Sequence, residues 1–258
     1  MSGTSIRFNS VRASYPGATQ PAIDGIDLDV EAGELIALVG PSGCGKSTLL
    51  RTVNRLVPIE SGSIELGGVD IASLDPVAMR RTIGYAIQAV GLFAHMTVAQ
   101  NVGIVPSLLG WDRERIERRV DEMLELVRLD PACYRNRRPR QLSGGEAQRV
   151  GVARALAAQP AALLMDEPFG ALDAIVRREL QRELIEIVRA AGTTTLFVTH
   201  DVNESLLLGG RIVVMRAGRI EQCAAPVDIL AHPASDYVRD LFAIDDAVSQ
   251  LREKARDR

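Results

Sequence analysis

Long apolar stretches, paired cysteines and an excess of basic charge are all missing from this 258-residue chain. A helix that crosses a bilayer needs about 20 consecutive apolar residues, and the best runs here, Leu35 to Val39 and Ala161 to Met165, are strand-sized. Any membrane role must therefore go through a partner. The three cysteines, Cys44, Cys133 and Cys223, are odd in number and widely scattered. That spacing does not suit a disulfide framework or the close pairs of a zinc site, and a reducing cytosol is the expected home. With 30 Lys plus Arg against 33 Asp plus Glu, no global positive field recruits nucleic acid or an acidic membrane surface. Residues 1–11 show no basic segment followed by an apolar run, so no signal peptide is expected. No internal repeat or low-complexity tract is found.

What is present is the composition of a globular protein: 47% hydrophobic and 24% charged residues, near the average and enough for a sizeable core. The length fits one large domain, or one domain carrying a subdomain. Short β-type runs alternate with helical patterns: Leu35 to Val39 then Lys46 to Leu56, Ala161 to Met165 then Leu172 to Ala190, Leu196 to Thr199 then Val202 to Leu208. That alternation predicts an α/β fold with a mostly parallel sheet. Ile6 to Val11 and Ile26 to Val30 instead alternate apolar and polar residues, as half-exposed antiparallel strands do. Between about Val90 and Gln159 the strand signal gives way to helical periodicity. The clearest helix there puts Ile116, Val120, Met123, Leu124 and Val127 on one face, with Asp112 as N-cap and Trp111 stapled onto Ile116. The boundaries implied are 1–88 and 160–243 for the core, 89–159 for a helical insert, and 244–258 for a charged tail. Arg135, Arg137, Arg138 and Arg140 read as a solvated loop.

Gly40-Pro41-Ser42-Gly43-Cys44-Gly45-Lys46-Ser47 follows an apolar strand and precedes a helix beginning with Thr48, Leu49 and Leu50. Motif and context agree on a phosphate-binding loop. Its glycines let backbone amides converge on phosphate oxygens, and the helix N-terminus adds partial positive charge. Lys46 supplies a point charge for the β and γ phosphates, and the Ser47 hydroxyl is suited to Mg²⁺. A glycine-rich turn alone would explain the glycines but not the Lys-Ser pair. Further on, Ala161 to Met165 ends in Asp166 and Glu167 before Pro168. Adjacent residues on a strand point to opposite faces, so Asp166 is assigned to the metal and Glu167 to the attacking water, as general base or as the group that positions it. Cys44 lies beside a helix N-terminus that would lower its pKa, which predicts alkylation that ATP blocks.

Leu142-Ser143-Gly144-Gly145-Glu146, followed by Gln148-Arg149, completes a set that resembles the ATPase subunit of an ABC transporter, over nearly the whole chain. The resemblance implies a P-loop NTPase core with an N-terminal antiparallel β subdomain and an inserted α-helical subdomain. It implies ATP and Mg²⁺ as ligands, and hydrolysis in a head-to-tail homodimer or pseudo-dimer. Ser143, Gly144 and Gly145 would face the partner's γ-phosphate, and Asp173 would sit in a loop crossing the dimer interface. Ser143-x-x-Glu146 is also a capping box, and a capped helix start is itself an anion site. Glu146 and Ala147 stand where many members have glutamines. The resemblance further implies Gln88 as a Mg²⁺ ligand, His200 as a γ-phosphate contact and Tyr15 as the aromatic under adenine.

Gln88 to Val98, Leu108 to Asp112, Met165 to Asp173 and Val198 to Asp201 are similar to ATPases of osmoprotectant importers for glycine betaine, choline or carnitine. Amino-acid import is the nearest rival. The partners implied are an integral permease, docked by the segment containing Phe93 and His95, and through it an extracytoplasmic substrate-binding protein. The chain would then be peripheral, on the cytoplasmic face of the membrane. Many such ATPases continue into paired CBS modules; a chain ending at Arg258 is expected to lack them. Two other classes stay open: a soluble ABC ATPase acting on DNA or ribosomes, and a nucleotide-binding regulatory subunit without turnover. The acidic balance argues against polyanion partners.

Overall fold

The computed structural model describes residues 3–87, 91–168, 183, 185–208 and 210–243. Two sheets form. The first is four-stranded and antiparallel, with strands β1 (Ile6–Ala13), β2 (Ile23–Val30), β4 (Ser61–Leu66) and β5 (Val69–Asp70) in the order β2-β1-β4-β5. The second has six strands in the order β10-β9-β3-β8-β7-β6. These are β3 (Leu35–Val39), β6 (Ile83–Ala86), β7 (Ala162–Asp166), β8 (Thr194–Val198), β9 (Arg211–Arg216) and β10 (Arg219–Ala224). All neighbours in it run parallel except the β9–β10 hairpin. The expected mostly parallel α/β core with an antiparallel sheet beside it is therefore found.

The side-chain period of two sorts the core into layers. Ile36 and Leu38 of β3, Ala162 and Leu164 of β7, and Leu196 and Val198 of β8 face one cluster, shared with Ile6 and Phe8 of the antiparallel sheet and Leu49 and Leu50 of helix α1 (Lys46–Val53). Ala37 and Val39, Leu163 and Met165, and Phe197 face the other. That second cluster is shared with α3 (Val98–Leu108), α4 (Arg113–Leu126) and α6 (Gly144–Ala157), which lie between β6 and β7 in the chain. Leu38 is wholly buried between β8 and β9. Leu38→Ala is expected to cost about 2–5 kcal/mol in urea unfolding, because a strand hydrogen-bonded on both edges cannot collapse onto the cavity.

Several boundaries differ from the sequence reading: β2 begins at Ile23 rather than Ile26, and β8 spans Thr194–Val198 rather than Leu196 to Thr199. Strand β1 continues past Val11 to Ala13 because bulges absorb the irregularity: Ser10 sits at φ 47° and its N–H donates to Asp27 Oδ1 at 2.7 Å, so pairing resumes at Val11 with Ile26 and, after a second shift, at Ala13 with Ile23. Helix α1 stops at Val53, short of Leu56, since Asn54 caps it and Arg55 turns left-handed at φ 49°. Asp112 does cap α4, accepting from Arg115 N–H at 2.8 Å, and the Arg115 guanidinium covers the Trp111 ring at 3.5 Å. The arginine cluster is partly engaged: Arg135 pairs with Asp121 at 3.1 Å, and Arg137 lies over the Tyr134 ring at 4.1 Å.

Candidate active site

Parallel strands deliver their C-terminal ends to one edge of a sheet, which is where α/β folds bind ligands. Here that edge carries the loop after β3, the acids ending β7 and the histidine after β8. In the loop, Gly40 at φ 149° and Gly45 at φ 108° take conformations that side chains resist, and a Cβ would run into the Met215 and Ala22 carbonyls respectively. The loop is pinned from outside by Gly218 N–H donating to the Cys44 carbonyl at 3.0 Å. Lys46 is buried, and its Nζ donates to the carbonyls of Gly40 at 2.7 Å and Pro41 at 3.0 Å. A cation is thus held at the mouth of a backbone cradle, beside the N–H groups of the first turn of α1, which have no intrahelical acceptors.

Ser47 and Asp166 are brought together from 119 positions apart: Ser47 Oγ donates to Asp166 Oδ1 at 2.6 Å, and Asp166 is buried. A hydroxyl and a carboxylate side by side at a phosphate cradle are the hard oxygen donors that Mg²⁺ takes. Among the described residues no group of three or more His, Cys, Asp or Glu forms a metal cage. None is needed, because Mg²⁺ beside phosphates uses only one or two protein oxygens. The residues present fit the ion.

The sequence reading missed two neighbours of this pair. Arg51 approaches Asp166 Oδ2 at 3.7 Å, and Tyr85, then Tyr15, raise the guanidinium's pKa through hydrogen bonds. Burial first, and the Asp166 charge second, push the Tyr85 hydroxyl up. Arg51 was legible in principle, being one helical turn after Ser47 and hence on the same face. Tyr85 was not, because only the pairing of β6 with β7 sets it beside that carboxylate.

Glu167 follows at φ 46°, a left-handed backbone that a non-glycine residue adopts at some cost. Its N–H donates to the Val198 carbonyl at 3.1 Å, and its Oε2 lies 3.4 Å from His200 Nδ1. The two residues assigned to hydrolysis are therefore neighbours across the ends of β7 and β8. The turn carrying His200 is built on Thr199, whose buried hydroxyl donates to the Glu204 carboxylate and accepts from Asp201 N–H.

Tyr15 is partly exposed beside α1, with its hydroxyl 3.2 Å from Thr48 Oγ1. Ser143 is exposed as the N-cap of α6, away from the loop in the chain. Gly144 and Gly145 open that helix. The capping box is complete: Ser143 N–H donates to Glu146 Oε2 at 2.7 Å, and Glu146 N–H donates to Ser143 Oγ at 3.3 Å. The Tyr134 hydroxyl donates to the other oxygen, Glu146 Oε1, at 2.5 Å. That bond first, then the Ser143 N–H, hold the Glu146 carboxyl below its ordinary pKa. Gln88 and Asp173 lie outside the described residues.

One expectation is overturned. Cys44 was expected to have a lowered pKa, but burial outweighs the nearby Lys46 and pushes the thiol up. The Cys133 thiol is pushed up too, by its hydrogen bond to Asp130, so access decides: iodoacetamide is expected to label exposed Cys133 at least about tenfold faster than buried Cys44 with or without ATP, as peptide mass spectrometry over a time course can show.

A family model described as ABC transporter matches residues 23–170. The chain is 45% identical to the osmoprotectant import ATP-binding protein OsmV of Salmonella typhimurium, over 91% of this chain and 62% of that protein. It is 47% identical to the glycine betaine/carnitine/choline transport ATP-binding protein OpuCA of Bacillus subtilis, over 92% and 62%. It is 49% identical to the glycine betaine uptake system ATP-binding protein YehX of Escherichia coli, over 92% and 76%. The chain thus spans about three-fifths of the length of the first two relatives. Among solved structures it resembles the ATP-binding cassette MJ0796 in a dimeric post-hydrolysis state bound to ADP and Pi, with TM-score 0.76, 30% identity, and coverage of 86% of this chain and 98% of that one.

Proposed function

This chain belongs to the ABC transporter family, and we propose that it is an ATP-hydrolysing subunit that drives uptake through a separate membrane permease. The observation that carries the reading is the joining of Lys46, Ser47 and Asp166 at one sheet edge, with Glu167 and His200 beside them. Gly40 to Thr48 wrap the phosphates with backbone amides, Lys46 exchanges its carbonyl partners for β- and γ-phosphate oxygens, and Tyr15 stacks on the adenine. Ser47 and Asp166, with Gln88, would hold Mg²⁺, which would supply shielding of phosphate charge and of the leaving group. Glu167 takes a proton from the attacking water, and His200 contacts the γ-phosphate. Two copies close head to tail, so that Ser143, Gly144, Gly145 and Asp173 complete the partner's site. The dimeric state of the structural relative supports the pairing of two copies.

The import proteins among the relatives support quaternary amines such as glycine betaine as the cargo, selected by the permease and its extracytoplasmic binding protein rather than by this chain. No helix of the described residues is long and apolar enough to cross a membrane, so contact with the permease falls to a surface. A groove of about 350 Å³ lined by Phe93, Ile104, Leu108, Arg80 and Arg154 is suited to it. Phe93 is partly exposed and meets His95 edge-on.

Affinity purification of tagged Glu167→Gln from detergent-solubilised cells, with ATP present, tests the reading. A multi-span permease identified by mass spectrometry is the expected result. Ribosomes or nucleic-acid proteins without a permease would overturn transport and leave the ATPase site standing.

A further inference from the structure

A carboxylate has two oxygens, and Glu146 uses both. One accepts the Ser143 N–H and the other accepts the Tyr134 hydroxyl. Tyr134 is itself fixed: it ends the short helix α5 (Pro131–Tyr134), capped by Asp130, and its ring carries the Arg137 guanidinium. The segment just beyond is tied to the start of α3 by two backbone bonds, Val98 N–H to the Arg137 carbonyl at 2.8 Å and Ala99 N–H to the Arg135 carbonyl at 3.0 Å. A chain of contacts therefore runs from α3 through Tyr134 to the Ser143 turn. Ser143 Oγ already accepts from Glu146 N–H, which leaves its O–H to donate outward from an exposed position.

We propose that Tyr134 is a positioning residue for the Ser143 turn: by clamping Glu146 it holds the start of α6 in the arrangement that a partner subunit's nucleotide meets. The inference rests on the head-to-tail reading given above. Without the clamp the Glu146 side chain regains rotamer freedom and releases the Ser143 N–H, so the cap loosens. The cost falls on closure of the dimer and not on the subunit's own phosphate loop, which lies on another element.

The test uses the full chain carrying Glu167→Gln, with ATP-dependent dimerisation followed by analytical ultracentrifugation and ATP binding to the dilute monomer followed by fluorescence. Adding Tyr134→Phe is expected to weaken the dimer about tenfold, with monomer ATP affinity unchanged within about twofold. The ring under Arg137 is retained in that variant. Glu146→Ala should weaken it comparably, and the double variant no further, because both substitutions break one clamp. Glu146→Gln should restore most of the affinity, since its oxygen can take the Ser143 N–H while its amide donates to the Tyr134 oxygen. Equal dimer affinity in Tyr134→Phe, additive loss in the double variant, or a parallel fall in monomer affinity would each overturn the role of Tyr134 alone. If the Glu167→Gln parent stays monomeric in ATP, the head-to-tail reading falls and takes the proposal with it.

Discussion

Glu167→Gln is expected to bind ATP with near-normal affinity while hydrolysing it about 10²–10⁴-fold more slowly, the usual contribution of a positioned general base. Glutamine keeps the shape and length of the side chain and can occupy the same backbone at φ 46°. The Glu167 N–H bond to Val198 and the neighbouring Asp166–Ser47 pair are untouched. What is lost is a carboxylate oxygen able to take a proton from water. Single-turnover release of phosphate, measured beside equilibrium binding of labelled ATP, separates the two effects. Normal turnover in the variant would remove Glu167 from the role of base and shift attention to His200, 3.4 Å away.

Lys46→Ala should act on binding instead. Lys46 is buried within its own loop, held by two carbonyls at 2.7 and 3.0 Å, so its charge is positioned before a phosphate arrives. Charge-assisted hydrogen bonds contribute about 1.5–3 kcal/mol each. Losing two phosphate contacts should weaken ATP affinity by at least about 10²-fold, and AMP, without β and γ phosphates, should lose far less. Isothermal titration with ATP and AMP reads the contrast. Equal losses for both ligands would mean that the substitution collapses the loop rather than removing a phosphate contact.

The phosphate loop and the acidic strand end could be read from the sequence because each is local. Loop, helix start and strand end are contiguous in the chain, and the apolar runs around them dictate a strand before and a helix after. The same holds for the layers of the core: Ile36 and Leu38 against Ala37 and Val39 follow from a period of two. Boundaries were less legible, because the bulge at Ser10 and the left-handed turn at Arg55 depend on the Asp27 contact and on cap geometry that composition does not announce. Cys44 shows the same limit in electrostatics: a helix N-terminus is visible in a sequence, but the burial that outweighs it is not.

The sequence by itself determined the chemistry available: a cation and a hydroxyl after a glycine loop, two acids at a strand tip, and a histidine after a later strand. Only the tertiary structure decided which of these meet. Ser47 touches Asp166, Glu167 faces His200, Arg51 and Tyr85 stand beside the Asp166 carboxylate, and Tyr134 reaches Glu146. For the groups at the sheet edge the physical reason is the order of strands in the sheet. β7 and β8 lie side by side with β3 next to β8, so residues more than a hundred positions apart are carried to one edge by hydrogen-bonded ladders whose order local preferences do not encode.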